Sequence, residues 1–323
     1  MKRIRIYLLL ILFSFQSSSL LAQRPNLPGG LGRMGAFRGS GGQSDSLQFQ
    51  HRDPFADSLT IRFRYLDSSR NYNIDSNLTD YYRKIPLKWD LAWLGNNGNA
   101  TTSLLFNPFM KPGWDPGFHA YDQYAFKVED TRFYYATRPY TELNYLIGSI
   151  GEQYMNLMQT QNIKPNWNAA FQFRLINSPG LYKSQNTNHA NIRLNSYYQS
   201  PNKRYGLYFI LLNNSLQSAE NGGIASDSFL NNKNSAYSDR FNIPVNIGGA
   251  TARSRNFFNT KLLTGNKYTD FHLLIRQQFD LGKKDSVVTD STVIKLFYPR
   301  LRFEYTFSYG SYKYKFQDLT PDS

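Results

Sequence analysis

The stretch Leu301-Arg302-Phe303-Glu304-Tyr305-Thr306-Phe307-Ser308-Tyr309 alternates strictly: large apolar or aromatic residues at odd positions, Arg, Glu, Thr and Ser at even ones. Successive side chains of an extended backbone point to opposite faces, so this pattern gives one apolar and one polar face and predicts a β-strand. The same period recurs along the chain. Thr141, Leu143, Tyr145 and Ile147 oppose Glu142, Asn144 and Leu146, and Phe171, Phe173 and Leu175 oppose Gln172, Arg174 and Ile176. Ala190, Ile192, Leu194 and Tyr198 oppose Asn191, Arg193, Asn195 and Tyr197, while Phe271, Leu273 and Ile275 oppose Asp270, His272 and Arg276. Between Tyr205 and Asn213 both faces carry bulk. Rings make up 16% of the 323 residues, yet the hydrophobic fraction is 41% and the mean hydropathy −0.53, so apolar residues stand singly among polar ones. No heptad and no amphipathic helix of useful length interrupts the pattern.

Strands are expected after residue 130 at 132–137, 140–149, 152–161, 167–177, 189–199, 204–213, 256–264, 267–279 and 294–309. Most approach the ~9–11 residues that a tilted strand needs to cross a bilayer. The connections alternate: short at 162–166, long at 178–188, short at 200–203, very long at 214–255, short at Gly265-Asn266 and long at 280–293. Short turns on one side and long polar loops on the other are the pattern of an outer-membrane barrel, whereas a sandwich switches sheets and does not sort its loops. Earlier strands are weaker: Leu59–Leu66, Leu87–Leu94 and Thr101–Phe106, followed by a Pro- and Gly-broken loop at 107–117. After Gly310 the rings Tyr312, Tyr314 and Phe316 fall on even positions, which predicts a bulge or turn there with a further strand starting.

The N-terminus marks the chain for export. Lys2, Arg3 and Arg5 precede an apolar run from Ile6 to Phe15 and a small-residue site at Ala22, the layout of a cleavable signal peptide over residues 1–22. Its removal takes three basic residues and no acid, lowering the net charge from +14 to +11. Residues 23–58 read as a disordered basic tail rich in glycine, leaving 59–323 for the barrel. Cysteine is absent, which excludes disulfides, thiolate metal sites and a lipid-anchored cysteine.

The polar faces hold the candidate site. Glu142, Asn144, Arg174, Arg193, Asp270, His272, Arg276, Arg302 and Glu304 are the expected pore-lining residues, and their excess of arginine predicts a basic, water-filled lumen. The competing expectation is that the arginines pair with Asp270, Glu304 and Glu142 and serve stability. Tyr134, Tyr135, Tyr197, Tyr198, Phe257, Phe258, Phe297 and Tyr298 lie near expected strand ends, where rings suit the membrane interface. Catalysis finds no support. His51, His119, His189 and His272 form no metal-ligand pair, no phosphate-binding glycine loop is present, and Glu220-Asn221-Gly222-Gly223 reads as a turn. No metal, cofactor or nucleic acid is expected.

Four runs carry a resemblance: Arg138-Pro139-Tyr140-Thr141-Glu142-Leu143-Asn144-Tyr145; Gln161-Asn162-Ile163-Lys164-Pro165-Asn166-Trp167-Asn168; Ser178-Pro179-Gly180-Leu181-Tyr182; and Glu220-Asn221-Gly222-Gly223-Ile224. Together with Leu91-Ala92-Trp93-Leu94-Gly95-Asn96-Asn97-Gly98-Asn99-Ala100, they make residues 60–316 resemble an outer-membrane porin family of Bacteroidota. The resemblance implies a large barrel without catalytic residues and places Leu91–Ala100 near its start. Members of that family are longer, which makes an incomplete, N-terminal part of a barrel the expectation for this chain.

The expected fold is therefore all-β: an antiparallel transmembrane up-and-down β-barrel, incomplete in this chain, in the outer membrane of a Gram-negative bacterium. Its expected function is passive diffusion of small hydrophilic solutes, and its expected partners are outer-membrane lipid and the barrel-assembly machinery. The alternatives are a barrel-anchored surface binder using the 214–255 loop and a secreted glycan-binding β-sandwich.

Overall fold

The computed structural model describes residues 61–68, 70–74, 88–106, 115, 117–148, 151–232, 235–248, 262–289 and 292–319. The leader, the glycine-rich tail, Phe257 and Phe258 lie outside the described residues, as does most of the strand expected at 256–264. All the described residues belong to one compact unit, Pro54–Ser323.

Among the described residues twelve strands form: β1 Ile61–Tyr65, β2 Tyr72–Asn73, β3 Leu91–Trp93, β4 Thr101–Ser103, β5 Arg132–Ala136, β6 Tyr140–Ile147, β7 Gln153–Lys164, β8 Trp167–Ser178, β9 Thr187–Gln199, β10 Tyr205–Ala219, β11 Thr264–Thr289 and β12 Thr292–Asp318. The last seven make one sheet in chain order, β12-β11-β10-β9-β8-β7-β6, with every neighbour antiparallel. Each strand pairs with its sequence neighbour, so this is an up-and-down meander and not a two-sheet sandwich. The fold is all-β and antiparallel; among the described residues the sheet stays open, with β6 and β12 as its edges.

The strand expected at 132–137 is corrected. It forms β5, which joins β1 and β2 in a separate three-stranded sheet and is no part of the wall. Its five residues are too few to cross a bilayer, and both Phe133 and Tyr134 are buried, which breaks the alternation a wall strand needs. The segment expected near the start of the barrel instead makes a small hairpin, β3 with β4.

Further expectations in the C-terminal half are also corrected. Gly265 and Asn266 make no turn: both lie inside β11, opposite Ala219 and Ser218. Residues 214–219, expected as loop, extend β10; Asn214 and Ser218 among them are polar because they bind the preceding segment on the inner face, and both are buried. Residues 280–293 are no loop either, since β11 and β12 run on until Thr289 faces Thr292, with a register shift between Leu281 and Gly282. Gly310 carries no bulge: pairing continues unbroken from Tyr309 to Asp318. A side chain at 310 would come within 3.1–3.2 Å of the His272 ring, so glycine stands there for close approach. The sorting of connections survives. The β7–β8 and β9–β10 turns lie at one end of the sheet, and the 179–186 and 220–263 connections at the other.

One face of this sheet carries the exposed apolar residues, and its band is inclined. On β12 the run from Leu301 to Tyr309 gives way to Ser311 and Lys313. Followed through the register, Tyr309 lies in a row with Leu273, Leu211, Leu194, Phe171, Gln159 and Thr141. On β6 the apolar run is Leu143, Tyr145 and Ile147, all exposed, so its upper end stands six residues beyond that row. At ~3.4 Å per residue and ~4.8 Å between strands, this is ~20 Å of rise across ~29 Å of sheet, an inclination of about 35°. Transmembrane barrel strands tilt by about 35–45° for the same reason: a band level with the membrane climbs the ladder of a tilted sheet. The β12 run covers ~27 Å along the strand, which at this tilt is ~22 Å of thickness, close to the ~25 Å apolar band of such barrels.

The opposite, inner face is packed against the chain's own residues. Phe126 and Phe133 cluster with Tyr208, Ile210, Leu212 and Leu274. Tyr121 and Tyr124 cluster with Tyr154, Ile176 and Leu216, and Phe63 and Tyr134 with Met158 and Ala170. The segment that precedes the wall thus lies along the inner face of β7 to β11, from Ser178 at one end to Ala170 at the other.

Candidate functional site

The register gathers the polar face into a belt. One row across the sheet reads Asn144, Asn156, Arg174, Asn191, Asn214, Asp270 and Tyr312. The row beside it reads Glu142, Met158, Gln172, Arg193, Leu212, His272 and Gly310. Six of the nine residues expected to line a pore therefore lie in two adjacent rows. Arg276, Arg302 and Glu304 share the same face nearer the short turns.

The belt divides into a covered centre and open ends. At the centre the guanidinium groups of Arg174 and Arg193 lie 4.5 and 4.3 Å from the centroid of the Phe126 ring, and Arg193 donates to the Asp130 carbonyl at 3.0 Å. The expectation of a water-filled basic surface is corrected for these two arginines, because a ring face takes up the cationic groups in place of water. The neighbouring amides serve the same segment. Asn191 Nδ2 donates to the Tyr124 carbonyl at 2.6 Å, Asn195 Nδ2 to the Arg132 carbonyl at 3.0 Å, and Asn214 binds both main-chain groups of Phe126. Tyr124 and Phe126 are buried with no strand beside them, so their peptide groups need partners, and the wall's side chains supply them.

A second fastening sits at the long-connection end. Asn96, Asn97 and Asn99 are all buried although polar. Asn96 accepts from the Ser178 hydroxyl and donates to the Gln185 carbonyl at 2.7 Å, and the Asn97 carbonyl accepts from Thr187 at 2.5 Å. His189 Nε2 lies 2.6 Å from the Gly98 carbonyl while its Nδ1 accepts the Gln217 N–H at 3.0 Å, which defines a neutral ring protonated on Nε2. Ser218 donates to Asn99 Oδ1 at 3.3 Å, and the Tyr124 hydroxyl to the Asn99 carbonyl at 2.9 Å. Glu152, in the β6–β7 connection, accepts the Asn97 N–H at 3.2 Å; burial pushes its carboxyl up.

At the open end charges meet in pairs. Arg302 holds Asp280 with two bonds of 2.7 and 2.9 Å, Arg276 reaches Asp67 and lies 3.3 Å from Glu304, and His272 lies 2.9 Å from Asp270. The expectation that arginines pair internally therefore holds for Arg276 with Glu304. Glu142, near the other edge, accepts from Tyr140 at 3.1 Å and from Asn144 at 2.7 Å. In the inserted segment His119 stands between Asp115 at 2.8 Å and Asp122 at 3.1 Å; the Asp115 hydrogen bond, then that of Asp122, raises its pKa.

The expected interface aromatics are corrected for three positions. Tyr134 and Tyr135 stand on β5, outside the wall, and Tyr197 points inward, 4.7 Å centroid to centroid from Tyr208. Adjacent residues on a strand face opposite ways, so a tandem pair supplies one outward ring at most. Tyr198 is that ring. It lies in the outward row of Trp167 and Leu207, next to the row of Tyr205, Phe279 and Phe303. Phe297 and Tyr298 stand beyond the register shift, Phe297 under the Arg204 guanidinium at 5.4 Å. Trp167 and Tyr205 were missed, although outward parity beside a short turn is a usable signal for such rings.

The sheet and belt define a porin-type wall, apolar outside and polar inside. A family model described as "Putative porin" matches residues 60–323, and the chain belongs to that porin family. No curated protein and no solved structure matches it.

Proposed function

We propose that the protein is an outer-membrane channel for passive diffusion of small hydrophilic solutes, with the two-row belt facing the solute path. The observation that carries this reading is the inclined outward band, level with a membrane only if the strands tilt as barrel strands do. In lipid both sheet edges need hydrogen-bonded partners, so further strands complete the wall at β6 and β12. An odd number of strands in a meander leaves β6 and β12 running the same way, and antiparallel closure then takes an odd number of additional strands. A leader at residues 1–22 fits export to that membrane. The test is conductance of the full chain, extracted from outer membranes, in planar lipid bilayers. Stepwise current supports the reading; silence of the wild type and of every variant overturns it.

A further inference from the structure

We propose that the segment formed by the described parts of residues 91–136 is a displaceable gate held inside the wall, and that its release opens the path across the belt. This rests on the channel reading above. Three observations carry it. First, the segment runs the length of the inner face. Its Asn96 meets Ser178 at one end and its Tyr134 packs with Ala170 at the other. These wall positions are eight residues apart on β8, ~27 Å of strand, so the segment follows the wall across the depth of the apolar band.

Second, the bonds that hold it are separate from those that hold the wall. The seven strands pair main chain to main chain. From residue 121 to 132 the segment is fixed by side chains of the wall, Asn191, Asn195, Arg193 and Asn214, on its carbonyls and on one N–H. The turn at 96–99 is fixed by Ser178, Thr187, His189 and Ser218. Undocking therefore breaks no rung of the seven-stranded sheet, with β1 and β2 moving along with β5, to which β1 is paired.

Third, the covered groups are suited to a solute path. Arg174 and Arg193 sit at the belt's centre with their Nε–H groups buried and lacking a hydrogen-bond acceptor. Displacement would return both guanidinium groups to water and add two positive charges to the path.

The test is single-channel recording of the full chain with two variants. Asn99→Cys with Ser218→Cys puts two thiols on a pair whose Oδ1 and Oγ lie 3.3 Å apart, the sulfur at 99 standing one bond nearer its backbone than that Oδ1, in a chain that has no other cysteine. Oxidation is expected to hold the channel in its low-conductance state, and dithiothreitol to restore switching. The second variant, Asn191→Ala with Asn214→Ala, removes three bonds to the segment. Its open-to-closed ratio is expected to rise about tenfold or more, since the net loss of a single hydrogen bond of about 1.4 kcal/mol already amounts to tenfold. The reversal potential in a salt gradient should shift toward anions as the arginines are uncovered. Equal conductance of locked, reduced and wild-type channels overturns the gate and leaves the channel reading intact. Silence in every state overturns both.

Discussion

Asn214 treats Phe126 as a neighbouring strand would: its Oδ1 accepts the Phe126 N–H at 2.9 Å and its Nδ2 donates to the Phe126 carbonyl at 3.0 Å. Both residues are buried, so removing the amide strands two peptide groups without water. Asn214→Leu is expected to weaken docking of the segment by about 2–3 kcal/mol. Hydrogen exchange at the Phe126 amide should accelerate while the β9–β10 ladder amides stay protected. Equal protection at Phe126 in variant and wild type would show that the pair contributes nothing to docking.

Gly98 has φ +89°, and a Cβ there would lie 2.8 Å from Thr187 Oγ1 and 2.9 Å from His189 Nε2. Gly98→Ala combines left-handed backbone strain of about 1–2 kcal/mol with a clash into the fastening. Gly95, φ +80°, has nothing within 4 Å of the point where a Cβ would sit and is the internal control. Protease cleavage near residues 96–99 should become much faster in Gly98→Ala and only modestly faster in Gly95→Ala.

Phe307 lies within the outward β12 run, one outward residue from its middle, and Ser308 beside it faces the belt side. Phe307→Lys places a charge near mid-membrane at a cost of about 2–4 kcal/mol, whereas Ser308→Lys faces the polar side. Heat-modifiable gel migration of outer-membrane fractions reads assembly. It should be impaired in the first variant and retained in the second, and equal behaviour would contradict the outward assignment.

The Asp115 hydrogen bond, joined by that of Asp122, raises the His119 pKa above its ordinary 6.5. A raised folded value means that the contribution of the imidazolium is full below pH 6.5 and is lost as pH climbs through the raised pKa. His119 is 37% exposed, so solvent screening keeps this contribution below about 1 kcal/mol. The ring should titrate above 6.5 by NMR, and exchange at the Asp122 amide, bonded to the His119 carbonyl, should quicken above that midpoint. In His119→Gln this pH dependence should vanish.

The wall strands were legible because a sheet with one face in an apolar environment needs period-2 alternation, as Leu301–Tyr309 and Thr141–Ile147 show. That parity assigned Glu142, Arg174, Arg193, Asp270 and Arg302 to one face before any register was known. Strand length was not legible at Asn214–Ala219 or across Gly265, because polar residues that bond an inserted segment look like loop residues. The aromatic run after Gly310 misled for a related reason. Tyr314 turns inward to stack on Phe118, with centroids 4.0 Å apart, so the rings change face while the backbone keeps its register.

Alternation is a property of neighbouring residues, and it alone determined that this chain builds an antiparallel sheet with an apolar and a polar side. Which residues cover the polar side depends on contacts such as Arg193 with Asp130 and Asn214 with Phe126, 63 and 88 positions apart. Only the tertiary structure decided that the arginines at the belt's centre lie against a ring of the chain's own inserted segment. No local pattern carries that information, because the partners meet only once the meander and the segment have folded together.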